Sequence, residues 1–569
     1  METTTDPTID TRRRRRAGVA FAVLAVIVAA MVGYTLRAGD LGNRVFHGDE
    51  AVNAVKFRDL YQPPHRIDYD PHAYHGPALW YLTLPAAWAA GSPDWIDLDE
   101  TDYRAAVVAV GVLLIIAPLL AGNGLGWAAA AAAAWLTAVS PAMAFYSRYY
   151  IFELPLVLFA WLAIACGWRW CVSPRWGPGI LWAAGCGASV GLMHATKETC
   201  VIYAAAMAVA AVVAWVASRG GSGPGSVSPD PPPVRGHRPR LAHAAVFVAA
   251  GLTTSLALFT DGLSDWADAA DSVTTFFAWS AKADDATHVQ PWWAYLRLLA
   301  WVESPRMVWT EVLTLGLAAV GLVAAWWPGR RRPLARFVSV YAVVLLAAFS
   351  AVPYKTPWNV LGPLHALIVL AGIGFEGLLR AAAMLSRRPA RMGATAVLTL
   401  MLGLGVWDLH GRAARTVGGL EGEQTNPWVY AHPSYDLRNL VADVDAIAAA
   451  HPGGAAAVTI RVVAENYWPL PWYLRRYEQV GYHDAPPRGA GAVDADVVIA
   501  QTHPDDDTLD MAFATAAAMT DPDTGYVGSY RGLRHELPAV IWVRWPLWKA
   551  YVRDRTEGRE PQTHTDPHR

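Results

Sequence analysis

Charge is what this chain lacks. Asp, Glu, Lys and Arg make up 17% of its 569 residues and apolar side chains 54%, where an average soluble domain carries about 25% charged residues. The deficit sits in long apolar runs, so membrane spans account for it better than one large soluble core, and a solvated, disordered chain is excluded. A net charge of −2 leaves no basic excess, and nucleic acid is not an expected partner. Cysteine is scarce too. Cys166, Cys171, Cys186 and Cys200 all lie in or beside apolar runs, none with metal-ligand spacing, which excludes a disulfide framework and a structural metal. No internal repeat is visible beyond the recurrence of Ala-rich spans.

What the chain does have is spanning-length apolar sequence. Such runs lie near 17–36, 104–122, 126–146, 151–170, 179–194, 200–217, 241–260, 307–327, 336–352, 359–380 and 392–407. About 20 apolar residues cross a bilayer. The first run follows Arg12–Arg16, is longer than a signal-peptide core and lacks a small-x-small cleavage site, so it reads as an uncleaved span with its arginines in the cytoplasm. One further run, 76–91, contains Pro77 and Pro85 and is short.

The positive-inside rule decides what 76–91 does. If it lies along the membrane surface, the loops with Arg169/Arg175, Arg219/Arg235/Arg238/Arg240, Arg330–Arg332/Arg336 and Arg380/Arg387/Arg388/Arg391 join the cytoplasmic arginines, and acidic loops 92–102 and 261–285 fall opposite. If it crosses, every later basic loop faces outward. The expectation is therefore about eleven transmembrane helices, with an interfacial helix in the first external loop. Residues 1–16 form a basic cytoplasmic N-terminus and 17–407 the membrane domain. Gly/Ser/Pro-rich 218–240 is a flexible cytoplasmic loop. Residues 408–569 read as a small α/β domain outside the membrane, with a helix near Leu437–Ala450 and strands near Ala457–Val463, Val497–Ala500 and Ala539–Val543.

This threading puts four polar segments at outer ends of spans: His47–Glu50, Ser147–Glu153, His194–Thr199 and Tyr354–Asn359. Charged groups at such depth are costly and mark function. Asp49 or Glu50 can act as a general base toward an acceptor hydroxyl or as a metal ligand, or can be solvated loop acids neutralised by His47, Lys56 and Arg58. Arg148 can clamp a phosphate or pair structurally with Glu153 across its hairpin. Lys197 with Glu198, and Lys355, interrupt apolar sequence, and the two lysines suit an anionic lipid headgroup, with snorkelling anchors as the alternative. His75 opens the interfacial helix as a proton carrier, ligand or structural residue. The segment Glu465-Asn466-Tyr467-Trp468-Pro469-Leu470-Pro471-Trp472-Tyr473-Leu474-Arg475-Arg476 can stack on a sugar or dock the domain on the membrane.

The constellation resembles a known family. An acidic pair after span one, a Gly76-Pro77 step, Arg104 at a span start, Ser140-Pro141 before Ser147-Arg148…Glu153, and a soluble tail together resemble the GT-C glycosyltransferases, in the branch of the protein O-mannosyltransferases and lipid A aminoarabinose transferases. Lys355-Thr356-Pro357-Trp358-Asn359 and Trp468-Pro469-Leu470-Pro471-Trp472-Tyr473 look like the GT-C-like proteins grouped with the flippase-activity-associated protein of archaeal N-glycosylation. The resemblance implies a plasma-membrane enzyme that moves a sugar, with inversion, from a polyprenyl-phosphate donor to a protein or glycolipid acceptor on the extracytoplasmic face. Asp49 would be the base and Glu50 its acidic partner. Arg148, Lys197 and Lys355 would hold the phosphate, with Glu153 in the second external loop and His75 a further contact. Relatives carry Asp at the position of Glu153, and Lys-Pro-Pro where this chain has His75-Gly76-Pro77. A divalent Mg²⁺ or Mn²⁺ held by Asp49 or Glu153 is compatible with the carboxylates but not selected by them. A lipid-linked-oligosaccharide flippase, or an accessory to one, would use the same cations without bond chemistry. A membrane scaffold needs only the spans and the tail and leaves the polar motifs unexplained.

Overall fold

The computed structural model describes residues 7–219, 241–264, 266–281, 288–327, 332–486, 493–502, 511–519, 525–535 and 537–556. Most of the Gly/Ser/Pro-rich loop, with Arg235, Arg238 and Arg240, lies outside the described residues, as do Arg330, Arg331, Asp265, Asp284 and Asp285. The chain divides into two compact units. One comprises 1–41, 63–90 and 101–428, the other 42–62, 91–100 and 429–569.

The first unit is helical. Among the described residues, 8 helices are long and apolar enough to cross a membrane: Arg16–Ala38, Glu100–Leu125, Glu153–Val172, Cys200–Arg219, Leu241–Phe259, Pro333–Ala351, Pro357–Ala383 and Arg388–Val417. The other three apolar runs also form helices, at Trp127–Val139, Trp176–His194 and Val312–Trp326. Two of these are short. Ser140-Pro141 ends the first, since Ser140 caps the next helix (its Oγ accepts from Met143 N–H at 3.3 Å) and Pro141 occupies that helix's first turn. Run 76–91 becomes the helix Ala78–Ala90, whose 13 residues are too few to span.

Small residues let these helices approach closely, the packing expected where lipid supplies no hydrophobic drive. A Cβ at Gly187 would stand 2.0 Å from the Phe247 carbonyl oxygen, so Trp176–His194 meets Leu241–Phe259 backbone to backbone. A Cβ at Gly374 would likewise stand 2.0 Å from the Leu317 carbonyl oxygen, so Pro357–Ala383 packs closely on Val312–Trp326. A hairpin of β1 (Val302–Glu303) and β2 (Val308–Trp309) precedes the latter helix.

The second unit holds a five-stranded sheet of β3 (Ile460–Val463), β4 (Val480–His483), β5 (Val497–Gln501), β6 (Tyr526–Arg534) and β7 (Leu537–Arg544), in the order β4-β3-β5-β7-β6. β3 pairs in parallel with β4 and β5, while β7 runs antiparallel to β5 and β6. Both faces of β5 are buried, which its run Val-Val-Ile-Ala-Gln permits. On one side Ile460, Val497, Ile499 and Ile541 pack with Leu440 and Val444 of the helix Leu437–Ala449.

Segments 42–62 and 91–100 belong to this unit because 467–476 gathers them. Tyr473 Oη accepts from Phe46 N–H at 2.9 Å and donates to Glu100 Oε1 at 2.7 Å. Arg475 donates to the Ile96 and Leu98 carbonyls, and its guanidinium lies 3.6 Å from the centroid of the buried Trp472 ring. Trp472 and Tyr473 are thus packing residues, while Glu465 and Asn466 stay exposed. The sugar and membrane readings of this segment hold at most for its first half.

Candidate functional site

In the first unit, loops between helices bring together residues from distant parts of the chain. Glu153 opens the helix Glu153–Val172, where a carboxylate is favoured by the helix dipole, and it is buried. Lys197 sits in the turn between Trp176–His194 and Cys200–Arg219, and its ammonium donates to Glu153 Oε1. The next residue, Glu198, accepts from His75 Nδ1 at 2.8 Å. The His75 ring lies 4.2 Å from that of Trp279 and 5.1 Å edge-on to Phe152. Gly76 makes this approach feasible, because a Cβ there would stand 2.3 Å from the Ala195 carbonyl oxygen. Burial raises the Glu198 pKa, but the imidazolium and hydrogen bond of His75 and the charge of Lys197 override it and bring the group down to about 2.

Lys355 sits in a third loop of the same unit. Residues 288–290 zip onto 353–355, with Lys355 N–H donating to His288 O and Gln290 N–H to Pro353 O, each at 3.0 Å. Pro353 and Pro357 keep this stretch from continuing either flanking helix. The ammonium donates to Gln290 O at 3.2 Å and to Val352 O, and lies 5.9 Å from the Tyr295 ring centroid. The Glu153 charge reaches the same Tyr295 phenol. Lys355 is 4% exposed, and among the described residues no carboxylate pairs with it. Burial lowers its pKa accordingly.

Arg148 is placed differently. It donates to Arg37 O at 3.1 Å, to Gly39 O, to Asp40 O at 3.2 Å and to Glu421 Oε2 at 3.0 Å. It does not pair with Glu153 across the hairpin, because Lys197 takes that carboxylate. Arg37, unremarked in the sequence, is fully buried at the end of the first helix and donates to Thr137 O, Ala138 O and Ser147 Oγ at 2.8–2.9 Å. The first two acceptors are carbonyls at the C-terminus of Trp127–Val139, whose dipole favours a cation.

The second unit holds the two adjacent acids, which have separate environments. Glu50 is 0% exposed. It takes an ion pair from Arg44 at 3.1 Å and accepts His47 N–H at 3.0 Å, completing a capping box at the start of Gly48–Tyr61. Its carboxylate is committed to structure. The Asp49 side chain is 55% exposed, with Oδ2 3.8 Å from His47 Nδ1. Burial lowers the His47 pKa against the pull of Asp49 and Glu50, with Arg534 and Arg44 adding to the lowering. Sequence reasoning missed Arg44, Tyr295, Glu421 and Arg534, and marked Glu198 without giving it a partner. Glu198 showed because it interrupts apolar sequence beside Lys197; the other four carry no such local signal. Among the described residues no group of three or more His, Cys, Asp or Glu could hold a metal ion, and the Glu153 carboxylate is already paired.

No family model matches the chain. A 102-residue stretch is 34% identical to the undecaprenyl phosphate-alpha-4-amino-4-deoxy-L-arabinose arabinosyl transferase 1 of Pseudomonas fluorescens, a match that spans 17% of this chain and 17% of the relative's length. Similarity in structure is far more extensive. ArnT from Cupriavidus metallidurans in the apo state superposes with a TM-score of 0.56 at 17% identity, covering 92% of this chain and 98% of that one. The same protein bound to undecaprenyl phosphate gives 0.54 at 16% identity, with the same coverage. The Archaeoglobus fulgidus oligosaccharyltransferase in complex with Zn and sulfate gives 0.50 at 12% identity, over 93% of this chain and 76% of that one. This membrane protein is therefore built on the fold of the GT-C glycosyltransferases.

Proposed function

We propose that the protein is a glycosyltransferase that moves a sugar from a polyprenyl-phosphate carrier to an acceptor on the extracytoplasmic face. Lys355 carries the reading. Lys197 and Arg148 already have carboxylate partners, whereas Lys355 is a desolvated cation bonded to carbonyls and suits an anion. The fold shared with ArnT, one structure of which holds undecaprenyl phosphate, supports a lipid phosphate as that anion. Lys197 is the second phosphate contact, released in part from Glu153, and His75 lies beside it. Arg148 and Glu50 hold structure, and Glu153 sets the charge of the cation cluster. Asp49, the exposed acid, is the general base. The membrane part crosses about eleven times when Trp127–Val139, Trp176–His194 and Val312–Trp326 are added to the longer helices, with the N-terminus cytoplasmic and the sheet unit outside.

In this reaction the acceptor hydroxyl gives its proton to Asp49 and its oxygen bonds to the anomeric carbon. The bond from that carbon to the phosphate oxygen breaks, and the electron pair leaves with the polyprenyl phosphate. The cations stabilise that leaving group, an electrostatic contribution. The test is transfer of label from polyprenyl-phosphate sugars in membranes containing the protein. D49N should abolish product while the lipid still binds. Undiminished turnover by D49N would overturn the assignment, and lipid movement between leaflets without any product would favour a flippase.

A further inference from the structure

Around Asp49, the second unit presents a set of groups that the donor chemistry does not use. Arg534 ends β6, where it forms an isolated bridge with Pro433. Its Nη2 donates to the Trp468 carbonyl at 3.3 Å. Trp468 packs in turn on the start of the Asp49 helix, its Cβ 3.5 Å from where a Cβ at Gly48 would stand. The Arg534 charge reaches both Asp49 and His47, yet among the described residues Arg534 forms no ion pair with Asp49. Its Nε–H is buried and has no partner among those residues. A donor left unmade on a half-buried guanidinium beside an open carboxylate is a place for an oxygen that arrives with a ligand.

The local charges say what kind of ligand. Arg44 is balanced by Glu50, and Arg534 offsets Asp49. His47 is neutral, since its Nδ1 accepts the Asp49 N–H at 3.0 Å. Among these groups no cation is left over for an anionic acceptor next to the Asp49 carboxylate. The half-buried Trp468 ring, 6.3 Å from that of Tyr467, offers an aromatic face of the kind that stacks on a sugar.

We propose that Asp49, Arg534 and Trp468 form the acceptor subsite, and that the acceptor is a neutral, hydroxyl-rich saccharide. Arg534 donates its Nε–H to a sugar oxygen near the attacking hydroxyl, Trp468 stacks on the ring, and Asp49 takes the proton. This rests on the transferase reading above and extends it to the second substrate.

The experiment uses the full chain in lipid vesicles, labelled polyprenyl-phosphate sugars as donor and short neutral oligosaccharides as acceptor, with water as the competing nucleophile. R534K is the informative variant. It keeps the charge and can still reach the Trp468 carbonyl, but loses the Nε–H. It should raise the KM for oligosaccharide about tenfold, more than it lowers kcat, and shift the fate of the donor from transfer toward hydrolysis. W468A should act in the same direction, and D49N should lose transfer and hydrolysis together. An oligosaccharide KM unchanged in both R534K and W468A would overturn the subsite, as would efficient transfer to a serine- or threonine-containing peptide and not to any saccharide. If D49N retains transfer while R534K loses oligosaccharide affinity, the base assignment falls and the subsite stands. Failure of the unaltered chain to turn over any donor overturns both.

Discussion

Arg148 donates to Glu421 at 3.0 Å, joining the turn before the helix Glu153–Val172 to a turn 273 residues later. Both side chains are buried, and Arg148 also holds the carbonyls of residues 37, 39 and 40. Removing one partner of a buried pair leaves an uncompensated charge, at a cost of about 3–5 kcal/mol. R148Q should therefore lower the thermal midpoint of the detergent-solubilised protein sharply. A matched R148M/E421M pair should recover much of the loss. An R148Q protein with unaltered melting but defective donor binding would instead return Arg148 to the phosphate.

Adjacent acids should give opposite phenotypes. E50Q unpairs Arg44 and weakens the capping box, and a lost cap alone costs about 1 kcal/mol. The expected outcome is a destabilised protein whose residual activity follows its folded fraction. D49N changes an exposed group and should melt like the unaltered protein while making no product. Melting curves and transfer rates on the same preparations check both. Equal losses of stability in the two variants would contradict the division of roles.

How much of this was legible in the sequence depended on whether the signal was local. Apolar runs of bilayer length are unmistakable, and all eleven form helices. Lys197 and Lys355 stood out as charges interrupting such runs. The pairings did not, because pairing is tertiary: Glu153 was visible as a charge but lies 44 residues from the Lys197 that takes it, and Glu421, the partner of Arg148, is one acid in a glycine-rich turn. The strands at 460–463, 497–501 and 537–544 showed as β-branched runs, whereas β4 is four half-buried residues and β6 is diluted by Gly528, Ser529 and Gly532. Both of those lie at sheet edges, where burial imposes little pattern. The aromatic segment shows the limit most clearly. Its composition suits a sugar platform or a membrane anchor, and only the contacts of Trp472 and Tyr473 identify a packing hub.

Acid should loosen the His75–Glu198 contact. The folded-state pKa of Glu198 is depressed from 4.5 to about 2, so its contribution to stability is fully present above the unfolded value and is lost as pH falls through the folded one. The shift corresponds to about 3 kcal/mol. Stability measured from pH 5 down to pH 2 should fall less steeply in E198Q than in the unaltered protein. Identical acid limbs in the two would show that the pair does not contribute.

The two lysines should separate under substitution. Lys197 is neutralised by Glu153, so K197M leaves a buried carboxylate without its cation and should lower stability as well as activity. Lys355 has carbonyls as its partners, and K355M replaces a desolvated ammonium with an apolar chain of similar length. Stability should hold or rise. Donor affinity should fall by about 10–100-fold, the value of one or two charge-assisted hydrogen bonds. Binding of labelled polyprenyl phosphate to vesicles containing each variant, beside melting curves, reads both effects. Undiminished lipid binding by K355M would remove the observation on which the phosphate site stands, whereas a K355M protein that melts normally and fails to bind would locate the donor phosphate at the break between Pro333–Ala351 and Pro357–Ala383.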